Sequence, residues 1–74
     1  TLIINGDEDD MCLEVGLFLK RTIKTSGLLI VPKTGHTINL EEPALFNHHL
    51  SEFYASINAS KWTQRDKRAG IVKL

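Results

Sequence analysis

Two short, uninterrupted apolar runs constrain what this chain can fold into more than any other feature. Leu2-Ile3-Ile4 closes at Asn5-Gly6, and Leu28-Leu29-Ile30-Val31 closes at Pro32. A strand with one face in water alternates apolar and polar residues, whereas a strand covered on both faces reads as a continuous apolar run. The two runs therefore predict parallel strands buried on both faces. Between them, Cys12, Val15, Leu19 and Ile23 recur at helical spacing, opposite Glu14, Arg21 and Lys24, and Ser26-Gly27 stands where that helix should stop. The result is a β-α-β unit, whose crossover is expected to be right-handed. Leu13 and Leu17 fall on the polar side of the helix, where exposed leucines are ordinary.

After the second run come Lys33-Thr34-Gly35-His36, read as a loop, and then Glu41-Glu42-Pro43 at a helix start. Acids there complement the helix dipole, and proline at the first helical position lacks only an N–H that would be orphaned anyway. Leu45, Phe46, His49, Leu50, Phe53, Tyr54 and Ile57 follow as one apolar stripe, so the helix should run to about Ile57. The expected fold class is α/β, a β-α-β-α fragment with two parallel strands spanning residues 1–57. Residues 58–74 are expected to form a loosely docked basic tail. Residues 1–56 hold eight acids and four bases, and residues 57–74 hold one acid and five bases. Basic residues around Trp62 without a nucleic-acid-binding motif are more often a solvated terminus than a nucleic-acid site.

The net charge of zero over 74 residues argues against nucleic-acid binding by bulk charge. A single cysteine rules out an intramolecular disulfide, and the surroundings of Cys12 carry no zinc-ligand spacing, so the usual staples of very small domains are missing. No run reaches the ~18 apolar residues of a membrane span, and no segment reads as a signal peptide, which leaves the cytoplasm as the expected compartment. The sequence starts at Thr1, inside an apolar strand, so the lack of a leader carries no information about targeting.

Two loops follow the predicted strands at their C-terminal ends, where open α/β sheets build their sites. One is the acidic loop Gly6-Asp7-Glu8-Asp9-Asp10, and the other is Gly35-His36. Strands joined by one helix are often neighbours, so an acid and a histidine can meet at one end of the sheet. A carboxylate on one imidazole nitrogen sets the tautomer and stabilises the imidazolium, leaving the other nitrogen to act as a general base. Any of Asp7, Glu8, Asp9 and Asp10 fits that description, and each could equally cap the first helix or stay solvated. Clustered acids also suit Mg²⁺ or Ca²⁺. EF-hand spacing is missing, however, and Met11 stands where a haloacid-dehalogenase-like phosphatase loop needs its second Asp. His49 falls on the apolar stripe and His48 off it, and adjacent positions on a helix do not form a metal clamp.

Three motifs in order resemble the C-terminal end of the α/β-hydrolase fold: Gly6-Asp7-Glu8-Asp9, Gly35-His36, and Leu40-Glu41-Glu42-Pro43-Ala44-Leu45-Phe46-Asn47. The resemblance implies that the strands and helices are the last ones of that core, with Asp9 as the triad acid, His36 as the triad base and Asp10 as a helix cap. It also implies an ester-like or related small-molecule substrate and no cofactor, and the spacing of the acidic loop leaves no metal expected there. The family's Gly-x-Ser-x-Gly nucleophile elbow is absent from these 74 residues. A nucleophile, Ser or Asp, is then expected from an upstream part of the same protein, and the chain alone should be inactive. The competing readings are a non-catalytic interaction module and a metal-dependent phosphotransfer loop. A two-stranded sheet is marginal by itself, so the isolated chain is expected to form a homo-oligomer.

Overall fold

The computed structural model describes residues 1–64. They form β1 (Leu2–Gly6), α1 (Asp10–Thr22), β2 (Gly27–Val31), α2 (Ile38–Glu41) and α3 (Pro43–Asn58). The strands pair in parallel, from Leu2 opposite Gly27 to Gly6 opposite Val31. The architecture is α/β, compatible with a fragment of an α/β-hydrolase fold. The basic residues Arg65, Lys67 and Arg68 of the expected tail lie outside the described residues.

One added element is a single turn, α2, over residues between the 33–36 loop and the expected helix start at Glu41. It is separated from α3 at Glu42, whose backbone leaves the helical region (φ −134°, ψ 64°). The next residue is Pro43, and the proline ring crowds the preceding residue out of the helical region, so two helices form in place of one. Helix α1 also ends earlier than expected: Ile23 is already extended, and Gly27 is the first residue of β2 rather than a helix stop. The lysine in its last turn explains the neat exit. Lys20 Nζ donates to the Ser26 carbonyl at 2.7 Å, while the Ser26 hydroxyl lies 2.7 Å from the Ile23 carbonyl and 3.1 Å from that of Lys20.

The face that α1 turns inward keeps Cys12, Leu19 and Ile23 of the expected stripe half-buried but loses Val15 and adds its neighbours. Val15 is 56% exposed, as are Met11 and Phe18 at 83% and 64%, whereas Leu13 and Leu17 are half-buried and Gly16 is buried. Gly16 settles the rotation. A methyl group on it would overlap the side-chain carbonyl of Asn5, a buried residue of β1, so helix and sheet approach at the one position without a side chain. Asn5 Oδ1 has no hydrogen-bond partner there. An apolar-periodicity count weights Val15 above Gly16, and this close contact reverses that order.

Burial of the strands on both faces is likewise not reached among the described residues. Asn5, Gly6 and Val31 are buried, but Leu2, Ile3, Ile4, Leu28 and Leu29 are half-buried and Ile30 is 42% exposed. The stripe of α3 is half-buried at Leu45, Phe46, His49, Leu50 and Phe53, with Tyr54 and Ile57 exposed. Trp62 ties the segment after α3 back to the sheet. Its Nε1 donates to the Thr25 carbonyl at 2.5 Å, its ring meets Phe53 edge-on at 4.7 Å between centroids, and it lies over Gly27, where no side chain intervenes.

Candidate functional site

The loops after β1 and β2 are stitched together before any side chain of catalytic type is considered. The Asp7 amide donates to the Val31 carbonyl at 2.9 Å and the Glu8 amide to the Thr34 carbonyl at 3.0 Å. In return the Thr34 amide donates to the Asp7 carboxylate at 3.3 Å, and the Thr34 hydroxyl folds back onto the Pro32 carbonyl at 2.9 Å. Thr34 is fully buried, so these bonds are shielded from water. Lys33, with φ 55°, makes the left-handed step that reverses the chain between them. Gly6 sits under the join, where a Cβ would overlap the backbone carbonyls of Thr34 and Gly35.

The stitching places Asp9 and His36 side by side. Oδ2 of Asp9 lies 2.6 Å from Nδ1 of His36. The Asp9 side chain is 19% exposed and the imidazole 76%. The hydrogen bond to His36, with a smaller contribution from Cys12, holds the Asp9 carboxyl below its ordinary value. Asp9 is thus an ionised acceptor, and a carboxylate can only accept, so the proton between the two belongs to Nδ1. Among the described residues, Nε2 has no hydrogen-bond partner. A neutral imidazole fixed in this tautomer presents an unprotonated Nε2, the arrangement that general-base chemistry needs.

Asp9 occupies the N-cap position of α1, one place before the expected cap Asp10, which is the first helical residue. The Asp9 side chain does not cap its own helix, because it is turned toward His36. Asp7 is the loop clasp just described, and Glu8 and Asp10 are exposed. His48 and His49 lie on α3, stacked edge-on against each other, apart from the pair.

Two residues outside the expected acid–base pair approach the histidine loop. Glu41 Oε1 accepts the Gly35 amide at 3.2 Å, and its Oε2 accepts the Thr37 hydroxyl at 3.3 Å, so one carboxylate braces the residues on either side of His36. This is the glutamate of the Leu-Glu-x-Pro stretch, read earlier only as a helix-dipole residue. The other is Cys12, one turn along α1 from Asp9, whose Sγ lies 3.7 Å from His36 Nδ1. Asp9 pushes its thiol above the ordinary value, mainly through a hydrogen bond that favours the protonated form, with burial and charge adding to it. A raised value means less thiolate at a given pH. Asp9→Asn is therefore expected to speed alkylation of Cys12 severalfold at mildly alkaline pH, followed by mass spectrometry of the intact chain. An unchanged rate would mean that the carboxylate does not act on the thiol.

No protein-family model matches the chain, and no solved structure matches it significantly. A curated protein of Bacillus subtilis (strain 168), named "Putative 2-succinyl-6-hydroxy-2,4-cyclohexadiene-1-carboxylate synthase", is 38% identical over 56 residues, which is 76% of this chain and 20% of that protein. The chain thus spans about a fifth of the length of the curated relative it matches. The likeness supports an α/β-hydrolase relationship and descent from an enzyme. No helix among the described residues is long and apolar enough to cross a membrane.

Proposed function

We propose that this chain is the C-terminal, acid-and-base-bearing portion of an α/β-hydrolase-fold enzyme acting on an ester-like or related carbonyl substrate. The observation that carries the reading is the 2.6 Å contact between Asp9 and Nδ1 of His36, made at the C-terminal ends of adjacent parallel strands. In this reading Nε2 of His36 takes a proton from the nucleophile and later returns one to the leaving group. Asp9 stabilises the imidazolium in between without itself being protonated. The nucleophile, the oxyanion donors and the substrate pocket come from polypeptide upstream of these residues. The coverage of about a fifth of the relative's length is in keeping with that division.

The name of the relative, a putative carboxylate synthase, favours a second reaction class on the same pair. Nε2 would then withdraw a proton from a carbon acid or hydroxyl of a carboxylate-bearing substrate rather than activate a nucleophile for hydrolysis. The exposed apolar residues Met11, Val15 and Phe18 lie one turn apart along α1, and they are assigned to contact with the remainder of such a protein, in the cytoplasm. In its absence the same surface and the open strand edges lead to self-association.

The test compares the 74-residue chain with a longer protein carrying its upstream sequence, both assayed against activated esters and against carboxylate-bearing carbonyl substrates. The chain alone is expected to be inert, because acid and base without oxyanion donors leave the transition-state charge unstabilised. The longer protein is expected to be active. Inactivity of both, with no strand-to-helix nucleophile turn in the upstream sequence, would favour a non-catalytic interaction module.

A further inference from the structure

The triangle formed by Asp9, Cys12 and His36 has a use that general-base chemistry leaves unexplained. One carboxylate oxygen, one thiol sulfur and one imidazole nitrogen all lie within 4.8 Å of one another. These are the three donor types that zinc accepts, and two of them rise from the same face of α1, at the N-cap and one turn later. Zinc–ligand bonds of about 2.0 to 2.3 Å in a tetrahedron separate neighbouring donors by roughly 3.3 to 3.6 Å. The 3.7 Å between Cys12 Sγ and His36 Nδ1 already approaches that separation. The 2.6 Å between Asp9 Oδ2 and Nδ1 has to open by less than ~1 Å, within the reach of small changes in side-chain torsion on the 76%-exposed ring.

We propose that Asp9, Cys12 and His36 form a three-ligand site for Zn²⁺ whose occupancy switches off the Asp9–His36 pair. A thiolate and a carboxylate balance the two positive charges, the imidazole binds neutral through Nδ1, and a water completes the tetrahedron on the solvent side. The Cys12 thiol gives up its proton to solvent as the Zn–S bond forms. The imidazole proton moves, through solvent, from Nδ1 to Nε2, because a neutral ring bound to metal at one nitrogen carries its hydrogen on the other. Nε2, the atom assigned the base role, is thereby protonated and blocked, and Asp9 loses the hydrogen bond that oriented the ring. The inhibitory consequence rests on the proposed function. Binding of the metal does not.

Cobalt reports the site without any activity assay, since Co²⁺ takes the same ligands and a cobalt–thiolate bond gives an intense near-ultraviolet charge-transfer band. Titration of the chain with Co²⁺ is expected to produce that band at one metal per chain, and Zn²⁺ is expected to remove it by displacement. Cys12→Ser should abolish the band, and His36→Ala and Asp9→Asn should each weaken affinity at least about tenfold, the scale seen for loss of even an outer-shell partner. Circular dichroism of each variant establishes that it remains folded. The proposal is overturned if the wild-type chain shows no band. It is equally overturned if affinity is indifferent to both His36→Ala and Asp9→Asn, which would leave an isolated thiol binding metal, or if saturation occurs at one metal per two chains. If binding follows this pattern while the longer protein shows no catalytic activity, the metal site stands and the hydrolase reading falls.

Discussion

Gly6→Ala is expected to destabilise the chain by about 3 kcal/mol or more, at the upper end of what overpacking usually costs. Gly6 has no left-handed backbone that only glycine tolerates, so the effect does not come from φ. It comes from space: the added methyl overlaps the carbonyls of Thr34 and Gly35, and backbone cannot swing aside as the end of a flexible side chain can. Relief requires the two loops to separate. That breaks the Glu8–Thr34 and Asp7–Thr34 hydrogen bonds and carries His36 away from Asp9. Domains of this size have a total stability of about 4 to 11 kcal/mol, so the loss is a large fraction of the whole. Urea denaturation measures it directly. A midpoint within error of the wild type would show that the loops tolerate a wider spacing than the structure gives them.

The same glycine shows what the sequence discloses and what it withholds. Gly6 in a Gly-x-x-acid turn was recognisable as a turn residue, but its physical role is a close approach between two loops far apart in sequence, which no local pattern encodes. Strand identity and parallel pairing were legible because continuous apolar runs separated by a helical period leave few other arrangements. The meeting of the acidic loop with the Gly35-His36 loop followed from that topology, since neighbouring parallel strands end at the same edge, whereas the choice of Asp9 among four acids came only from the family resemblance. The burial of Gly16 in place of Val15 on α1 was not legible: periodicity ranks residues by hydrophobicity, and a buried glycine against Asn5 has none to count. Glu41 was hidden for a related reason. In sequence it is an acid near a helix start, and its work as a brace depends on the break at Glu42, which brings its carboxylate back to Gly35 and Thr37. Cys12 has no Cys or His at ligand spacing in the sequence around it, because its neighbours in space are one turn away at the start of its own helix and across the sheet end.

The largest expected effect is catalytic. In a protein that carries this segment together with its nucleophile, His36→Ala is expected to lower kcat by about 10⁴-fold or more, because removing the base leaves only binding and oxyanion stabilisation. Asp9→Asn is expected to cost nearly as much. An amide presents its NH₂ or carbonyl to Nδ1 without a charge, so the imidazolium loses its stabilising partner and the ring its preferred tautomer. The two losses should not add, since both residues act through one proton-transfer step. Glu41→Gln, which keeps a carbonyl acceptor for one of its two donors, should produce a smaller fall in kcat by loosening the ring's position.

The most direct measurement is therefore steady-state turnover of that longer protein as wild type, His36→Ala, Asp9→Asn and the double variant, with His48→Ala as the control for loss of an exposed histidine on α3. The expected result is a collapse of kcat in both single variants, a double variant no worse than His36→Ala, and a His48→Ala enzyme indistinguishable from wild type. Full turnover in His36→Ala, or additive losses in the double variant, would contradict the assignment of Asp9 and His36 as one acid–base unit.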